Sequence, residues 1–188
     1  MKHYILHAPP NPTLEYAQGE KIKVPPNTTE IVSQGGGSTI DVAKWVAKEL
    51  GLKHTAIPTT AGTGSEVTKY VVLTVDGKKT TFVDDAYIPD SYILDPSLVV
   101  SLPRLHTIAS GLDALCQSFE SVWSKNATQE SLGYAKSAIE LIRQNLGKCV
   151  DDPEDTKARA NMLLAANLSG RAINITKTNV CHAISYPL

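Results

Sequence analysis

Cysteine is scarce in this chain: Cys116, Cys149 and Cys181 are odd in number, far apart and without a CxxC pair. That excludes a disulfide framework and suits reduced thiols in a cytoplasmic setting. An excess of charge of either sign is also lacking, since 18 basic side chains face 19 acidic ones for a formal net charge of -1. Such a balance does not draw a chain to phosphate backbones or anionic lipid, so generic nucleic-acid and membrane-surface roles fall away. No apolar run approaches the roughly 18 residues of a membrane span. The opening MKHYILHAPPNP has neither the apolar core nor the cleavage site of a signal peptide. Internal repeats and low-complexity tracts are missing too. What is present is about one domain's worth of chain: 188 residues, 42% of them apolar, enough to bury a core.

The patterning falls into two parts. Residues 1–29, with Pro9, Pro10, Pro12, Pro25 and Pro26, read as mostly irregular. Glu30–Gln34 then reads as a strand running into Gly35-Gly36-Gly37-Ser38. Ile40, Ala43, Val46, Ala47 and Leu50 follow at helical spacing, with Gly51 as the terminating glycine. His54–Pro58 reads as the next strand, ending in a second loop of small residues, TTAGTGSEVT. Strand, glycine loop, helix, strand is the grammar of a parallel α/β sheet. Val71–Val75 and Thr80–Val83 flank Asp76-Gly77, a hairpin turn signal, and Tyr92–Leu94 reads as a short strand. From Pro103 helical periods dominate, over about Leu105–Val122, Gln129–Leu146 and Thr156–Ile173. The expected fold class is α/β: a partial Rossmann-like parallel-sheet domain over 1–100, then part of an all-helical domain over 101–188. The last residues stop without a terminal cap or polar tail, so the expectation is a chain cut at that end.

Three features are candidates to carry chemistry. Gly35–Ser38 follows a strand and opens a helix, so its backbone N–H groups and the positive helix end suit a phosphate. Asp41 stands in the first turn of that helix, where a carboxylate also serves simply to complement the dipole. Thr59, Thr60, Thr63 and Ser65 crowd four hydroxyls around Gly62 and Gly64 at the carboxyl end of the next strand, where such sheets bind ligands. The competing reading is a polar loop capping the next helix through Thr63 or Ser65. Asp113, Gln117 and Glu120 lie at i, i+4 and i+7 and share one helical face, and His182 offers an imidazole from a distant segment. Two oxygens and one histidine are a thin ligand set, and on spacing alone a solvated face with a buried histidine is the favoured explanation. Cys116 and Cys181 read as small buried hydrophobes.

GGGSTIDVAK, IPTTAGTGSEVT, LDPSLVVSLP, GLDALCQSFES and HAISYPL, in this order, resemble the iron-containing (group III) alcohol dehydrogenase family. The resemblance runs from Asn11 to Leu188. It implies a dehydroquinate synthase-like architecture, a nucleotide-binding α/β domain followed by a helical metal-binding one. It also implies NAD(P)-dependent interconversion of a small aldehyde and its alcohol. By that resemblance Gly36, Gly37 and Ser38 hold the pyrophosphate, with Asp41 beside them. Thr59, Thr60 and Thr63 line the nucleotide further along, with Lys79.

The family's metal, Fe2+ or Zn2+, is held by one Asp and three His. Asp113 matches the Asp and His182 the second His. Gln117 replaces the first His, and the last position lies past Leu188. Tyr186 stands where many members carry a further active-site histidine. ESVWSKNATQES and SGRAINITKTNVCHAISYPL are similar to the phosphonoacetaldehyde reductase branch. That makes Arg171, Lys177 and Thr178 candidates to meet a phosphonate dianion. Composition gives no membrane or nucleic-acid partner, and whether the chain forms a homo-oligomer is left open by the sequence. Two other readings stand beside the resemblance. One is a fragment cut at both ends, with weak or no activity and at most nucleotide binding; the other is a metal-free, dehydroquinate synthase-like relative.

Overall fold

The computed structural model describes residues 2–185. Four parallel strands form its sheet in the order β1 (His3–Leu6), β2 (Glu30–Gly35), β3 (Lys53–Pro58) and β6 (Ser91–Tyr92). A separate antiparallel pair, β4 (Tyr70–Val75) and β5 (Lys78–Val83), turns at Asp76-Gly77. Both turn residues have positive φ, 49° and 75°, the conformation an Asp-Gly hairpin needs. Two helices accompany the strands, α1 (Leu14–Lys23) and α2 (Gly37–Leu50). Gly51, at φ 63°, ends α2 by returning its N–H to the carbonyls of Ala47 and Lys48.

Among the described residues, every regular element from Arg104 onward is helical: α3 (Arg104–Val122), α4 (Gln129–Asp151), α5 (Thr156–Thr176) and α6 (Val180–Ser185). α4 opens on a capping box in which Thr128 and Ser131 each satisfy the other's backbone N–H. Among the described residues no helix is long and apolar enough to cross a membrane.

Residues 1–29 depart from the irregular reading, since they contain β1 and α1. β1 exists because it pairs in register with β2, His3 opposite Glu30 through Leu6 opposite Ser33. α1 starts where the Thr13 side chain accepts from the Tyr16 N–H. The loop after β3 also differs from expectation. It leads into a single 3-10 turn (Ser65–Val67) capped by Gly64, whose φ is 60°.

One core packs Leu6, Ile31, Val42, Val46, Val71 and Leu73 between sheet, α2 and hairpin. A second packs Val99, Ala114, Ile142, Met162 and Leu163 among the helices. Polar links join the two regions: Asn167 Nδ2 donates to Glu66 Oε1 at 3.0 Å, and the Lys69 N–H to Asn174 Oδ1 at 2.9 Å.

Candidate active site

One cavity of about 830 Å³ lies between the amino end of α2, the hairpin and the start of α6. Gly36 caps α2 without a side chain, leaving the N–H groups of the first helical turn to an external acceptor. Gly37 and Ser38 reach the cavity from this turn, Thr63 and Ser65 from the following loop, and Lys79 from β5. A Cβ on Gly37 would stand 2.8 Å from the Thr63 methyl, so the two loops meet only because Gly37 has none.

Asp41 lines the same cavity, but both its oxygens are committed. Ser65 Oγ donates to one at 2.5 Å and the Val72 N–H to the other at 2.9 Å. These two bonds tie the serine loop and β4 to α2. Lys44, further along α2, is fully buried and donates to Thr68 Oγ1 at 3.1 Å and the Tyr70 carbonyl at 2.9 Å. Burial pushes its ammonium down to about 8, against the opposing pull of Asp41.

At the other end of the cavity α3 presents Asp113 and Gln117 on one face, as their spacing predicts, and α6 brings His182 to them. Asp113 Oδ2 accepts from the Gln117 amide at 3.2 Å, and its Oδ1 lies 3.3 Å from His182 Nε2. Glu120 is the residue that sequence reasoning undervalued. It shares the face, yet it is fully buried and not solvated. One of its oxygens meets His182 Nδ1 at 2.5 Å and the other accepts the Cys181 N–H at 2.7 Å. Burial alone would raise this carboxyl. The backbone N–H groups of Asn179 and Cys181 and the His182 ring nevertheless hold it below the usual carboxylate range. His182 moves the other way: its hydrogen bond to Asp113 and the charge of both carboxylates outweigh burial and raise it.

This donor set fits a divalent cation. Two ligands each about 2.0–2.2 Å from one ion stand a little over 3 Å apart, which is the Asp113–His182 separation. A carboxylate behind the other imidazole nitrogen is the usual outer support of a metal-binding histidine. The third donor is an amide, and among the described residues no three His, Cys, Asp or Glu side chains group to hold a metal. The set therefore offers two strong ligands and one weak one.

The remaining expected site residues divide. Lys177 and Thr178 line the cavity beside His182. Lys177 ends α5 at φ 65° and ψ 166°, a conformation L side chains rarely adopt, and so turns the chain sharply toward α6. Arg171 lies elsewhere, away from the residues that line the large cavity. Its guanidinium donates to Tyr92 OH at 2.8 Å and Asn167 Oδ1 at 3.0 Å, and it lines a second cavity of about 320 Å³. The tyrosine rings of Tyr92 and Tyr134, each about 6 Å from its centre, explain that position. Thr59 and Thr60 are also not among the lining residues of the large cavity. The Thr59 N–H donates to the Gly35 carbonyl, and Thr60 packs beside Gly36, so both shape the glycine turn. Cys116 and Cys181 are exposed, contrary to the buried reading. Tyr186 lies outside the described residues.

Comparison with known proteins bears on this arrangement. The family model for iron-containing alcohol dehydrogenase matches residues 5–96, and that for the C-terminal region of the Fe-containing alcohol dehydrogenase family matches 107–188. The phosphonoacetaldehyde reductase of Streptomyces viridochromogenes is 41% identical over 135 residues, 71% of this chain and 34% of that protein. Long-chain-alcohol dehydrogenase 1 of Geobacillus thermodenitrificans is 36% identical, over 84% of this chain and 45% of its own length. Among solved structures, a sulfoacetaldehyde reductase from Bifidobacterium kashiwanohense in complex with NAD+ superposes with a TM-score of 0.92 at 34% identity, covering 96% of this chain and 54% of that one. The chain spans about half the length or less of the curated relatives it matches.

Proposed function

Because this chain belongs to the iron-containing alcohol dehydrogenase family, we propose that it serves the NAD(P)-dependent, metal-assisted reduction of a small aldehyde to its alcohol. The observation that carries the reading is that one cavity is lined at one end by the glycine turn of α2 and at the other by Asp113, Gln117 and His182. A nucleotide whose pyrophosphate sits on the free N–H groups of Gly37 and Ser38 would extend past Thr63 and Lys79 toward that cluster.

The residues divide the work by position. Asp113, Gln117 and His182 would hold the cation, Fe2+ or Zn2+, which when bound acts as a Lewis acid on the carbonyl oxygen. The nicotinamide supplies the hydride, and the chemistry is largely the cofactor's. Glu120, behind His182 Nδ1, fixes the ring so that Nε2 faces the cavity. Asp41 keeps the Ser65 loop and β4 in place, so both walls of the cavity are rigid where the two reactants must align.

Lys177 and Thr178 form a cationic, hydroxyl-bearing pole beside His182, suited to an aldehyde with an acidic group. The names of the two reductases above denote acetaldehydes with a phosphonate and a sulfonate group, which supports phosphonoacetaldehyde as the substrate. The test is NADH consumption by the Fe2+- or Zn2+-loaded chain with phosphonoacetaldehyde and with acetaldehyde, beside an NADH fluorescence titration. Turnover with preference for phosphonoacetaldehyde is expected. NADH binding without turnover on any aldehyde would leave a nucleotide-binding protein and overturn the catalytic reading.

A further inference from the structure

Ser169 lies fully buried on α5, its Oγ 2.9 Å from the Ala114 carbonyl oxygen and 3.1 Å from Gln117 Oε1. A hydroxyl has one proton and can donate to only one of these oxygens at a time. With the proton on Gln117 Oε1, the amide nitrogen faces Asp113 Oδ2 at 3.2 Å and donates to it, which is the arrangement observed. With the proton turned to the Ala114 carbonyl, Oγ offers Gln117 only lone pairs. Gln117 is then satisfied by a half-turn of its amide, a soft terminal torsion between nearly isosteric ends. Its nitrogen donates to Ser169, and its carbonyl oxygen takes the place facing Asp113. Two lone-pair-bearing oxygens about that far apart repel each other unless a cation lies between them.

We infer that Ser169 is a two-way hydrogen-bond pivot, letting Gln117 present its amide nitrogen to Asp113 in one state and its carbonyl oxygen to a divalent cation in the other. The inference rests on the metal-binding reading above and adds a positioning residue to it. A histidine at 117 would need no such partner-swapping, whereas a neutral amide serves as ligand only if something buried accepts its displaced N–H. Buried beside Gln117, Ser169 is placed to do so. In the cation-free state the same pivot leaves both Asp113 Oδ2 and Gln117 satisfied.

The experiment uses the full 188-residue chain with glutamine side-chain amides labelled with 15N, Zn2+ as the probe, and the Gln117→Glu variant to identify the signal. On loading, a nuclear Overhauser contact between the Gln117 amide protons and the Ser169 methylene is expected to appear. By calorimetry Ser169→Ala should bind Zn2+ about tenfold more weakly, the cost of one buried N–H left without its acceptor. The opposite orientation loses only a donor to a carbonyl oxygen, which is cheaper. Alanine is smaller and helix-favouring, so circular dichroism should show α5 intact. A loaded chain whose Gln117 amide stays turned from Ser169, or a Ser169→Ala variant binding Zn2+ as tightly as wild type, overturns the pivot while the metal site stands. A wild-type chain that binds NADH but takes up no Zn2+ overturns the metal reading itself, and the pivot with it.

Discussion

Gly64 and Gly170 meet backbone to backbone. A Cβ built on Gly170 would stand 2.6 Å from the Gly64 carbonyl oxygen, and one on Gly64 would stand 2.6 Å from the Gly170 Cα. This contact locks the loop after β3 onto α5, and with it the serine-bearing cavity wall onto the helix whose end carries Lys177 toward His182. Gly64 has a second reason to be glycine, its φ of 60°. Gly170 sits in a helix and has only the contact.

Gly170→Ala therefore sets two effects against each other. Alanine gains up to about 1 kcal/mol in helix propensity, while the overlap with Gly64 forces the loop and α5 apart at a cost of about 1–3 kcal/mol or more. Net destabilisation of about 1–2 kcal/mol is expected by urea unfolding. Gly133→Ala on α4 is the control, since a Cβ there meets nothing within 4 Å. It should stabilise by about 0.5–1 kcal/mol. Equal behaviour of the two variants would remove the Gly64–Gly170 contact from the account.

Gly36→Ala separates packing from ligand binding. A Cβ on Gly36 would find its nearest neighbour, the Thr60 methyl, at 3.4 Å, an ordinary contact, so the fold should tolerate it with little change in Tm. A phosphate close to the turn has no such tolerance, because the glycine lets backbone approach it. NADH affinity is expected to fall at least tenfold in a fluorescence titration. Unchanged affinity would place the pyrophosphate elsewhere.

These contrasts indicate how much of the molecule is legible in the sequence. The β2–glycine turn–α2–β3 run, Gly51 and the Asp76-Gly77 hairpin are local and have local signatures, so sequence and structure agree there. β1 and α1 do not announce themselves. β1 buries little beyond Leu6 and exists through its pairing with β2, and α1 buries only Ala17 and Glu20, too few for an apolar period. Asp113 and Gln117 are legible through their i, i+4 spacing. Glu120 lies on the same face, but its burial comes from α6, some sixty residues away, which no helical period reports. Arg171 misleads for a similar reason: its position is set by Tyr92, distant in sequence, and not by its own helix.

Acid stability tests the interior of the sheet. His54 is buried, shares a 2.8 Å hydrogen bond with Ser33 Oγ, and leaves Nδ1 without a partner among the described residues. Burial, aided by the nearby Lys44 charge, pushes the ring down from 6.5 to about 3. Between those values the unfolded chain takes a proton that the folded chain refuses. The stabilising contribution is therefore complete above about pH 6.5 and is lost as pH falls toward 3, by up to about 5 kcal/mol. Ser33→Ala combined with His54→Leu removes the titrating ring and its partner together. It should flatten stability over that window by several kcal/mol, and an unchanged acid limb in urea titrations would show that His54 is not what titrates.

Lys177 joins strain to the proposed substrate pole, so two of its variants should separate stability from specificity. At φ 65° the lysine backbone stores roughly 1–3 kcal/mol that glycine does not. Lys177→Gly is expected to unfold at higher urea, by about 1 kcal/mol after glycine's own chain entropy is subtracted. It should also lose a positive charge from a residue that lines the cavity, raising KM for phosphonoacetaldehyde about tenfold while leaving KM for acetaldehyde nearly unchanged. Lys177→Gln keeps the strained backbone and removes only the charge. It should reproduce the KM effect without the gain in stability. Should both variants reduce phosphonoacetaldehyde with wild-type KM, the acidic group would have to be met by another part of the cavity, and the strain at position 177 would serve only to turn the chain from α5 into α6.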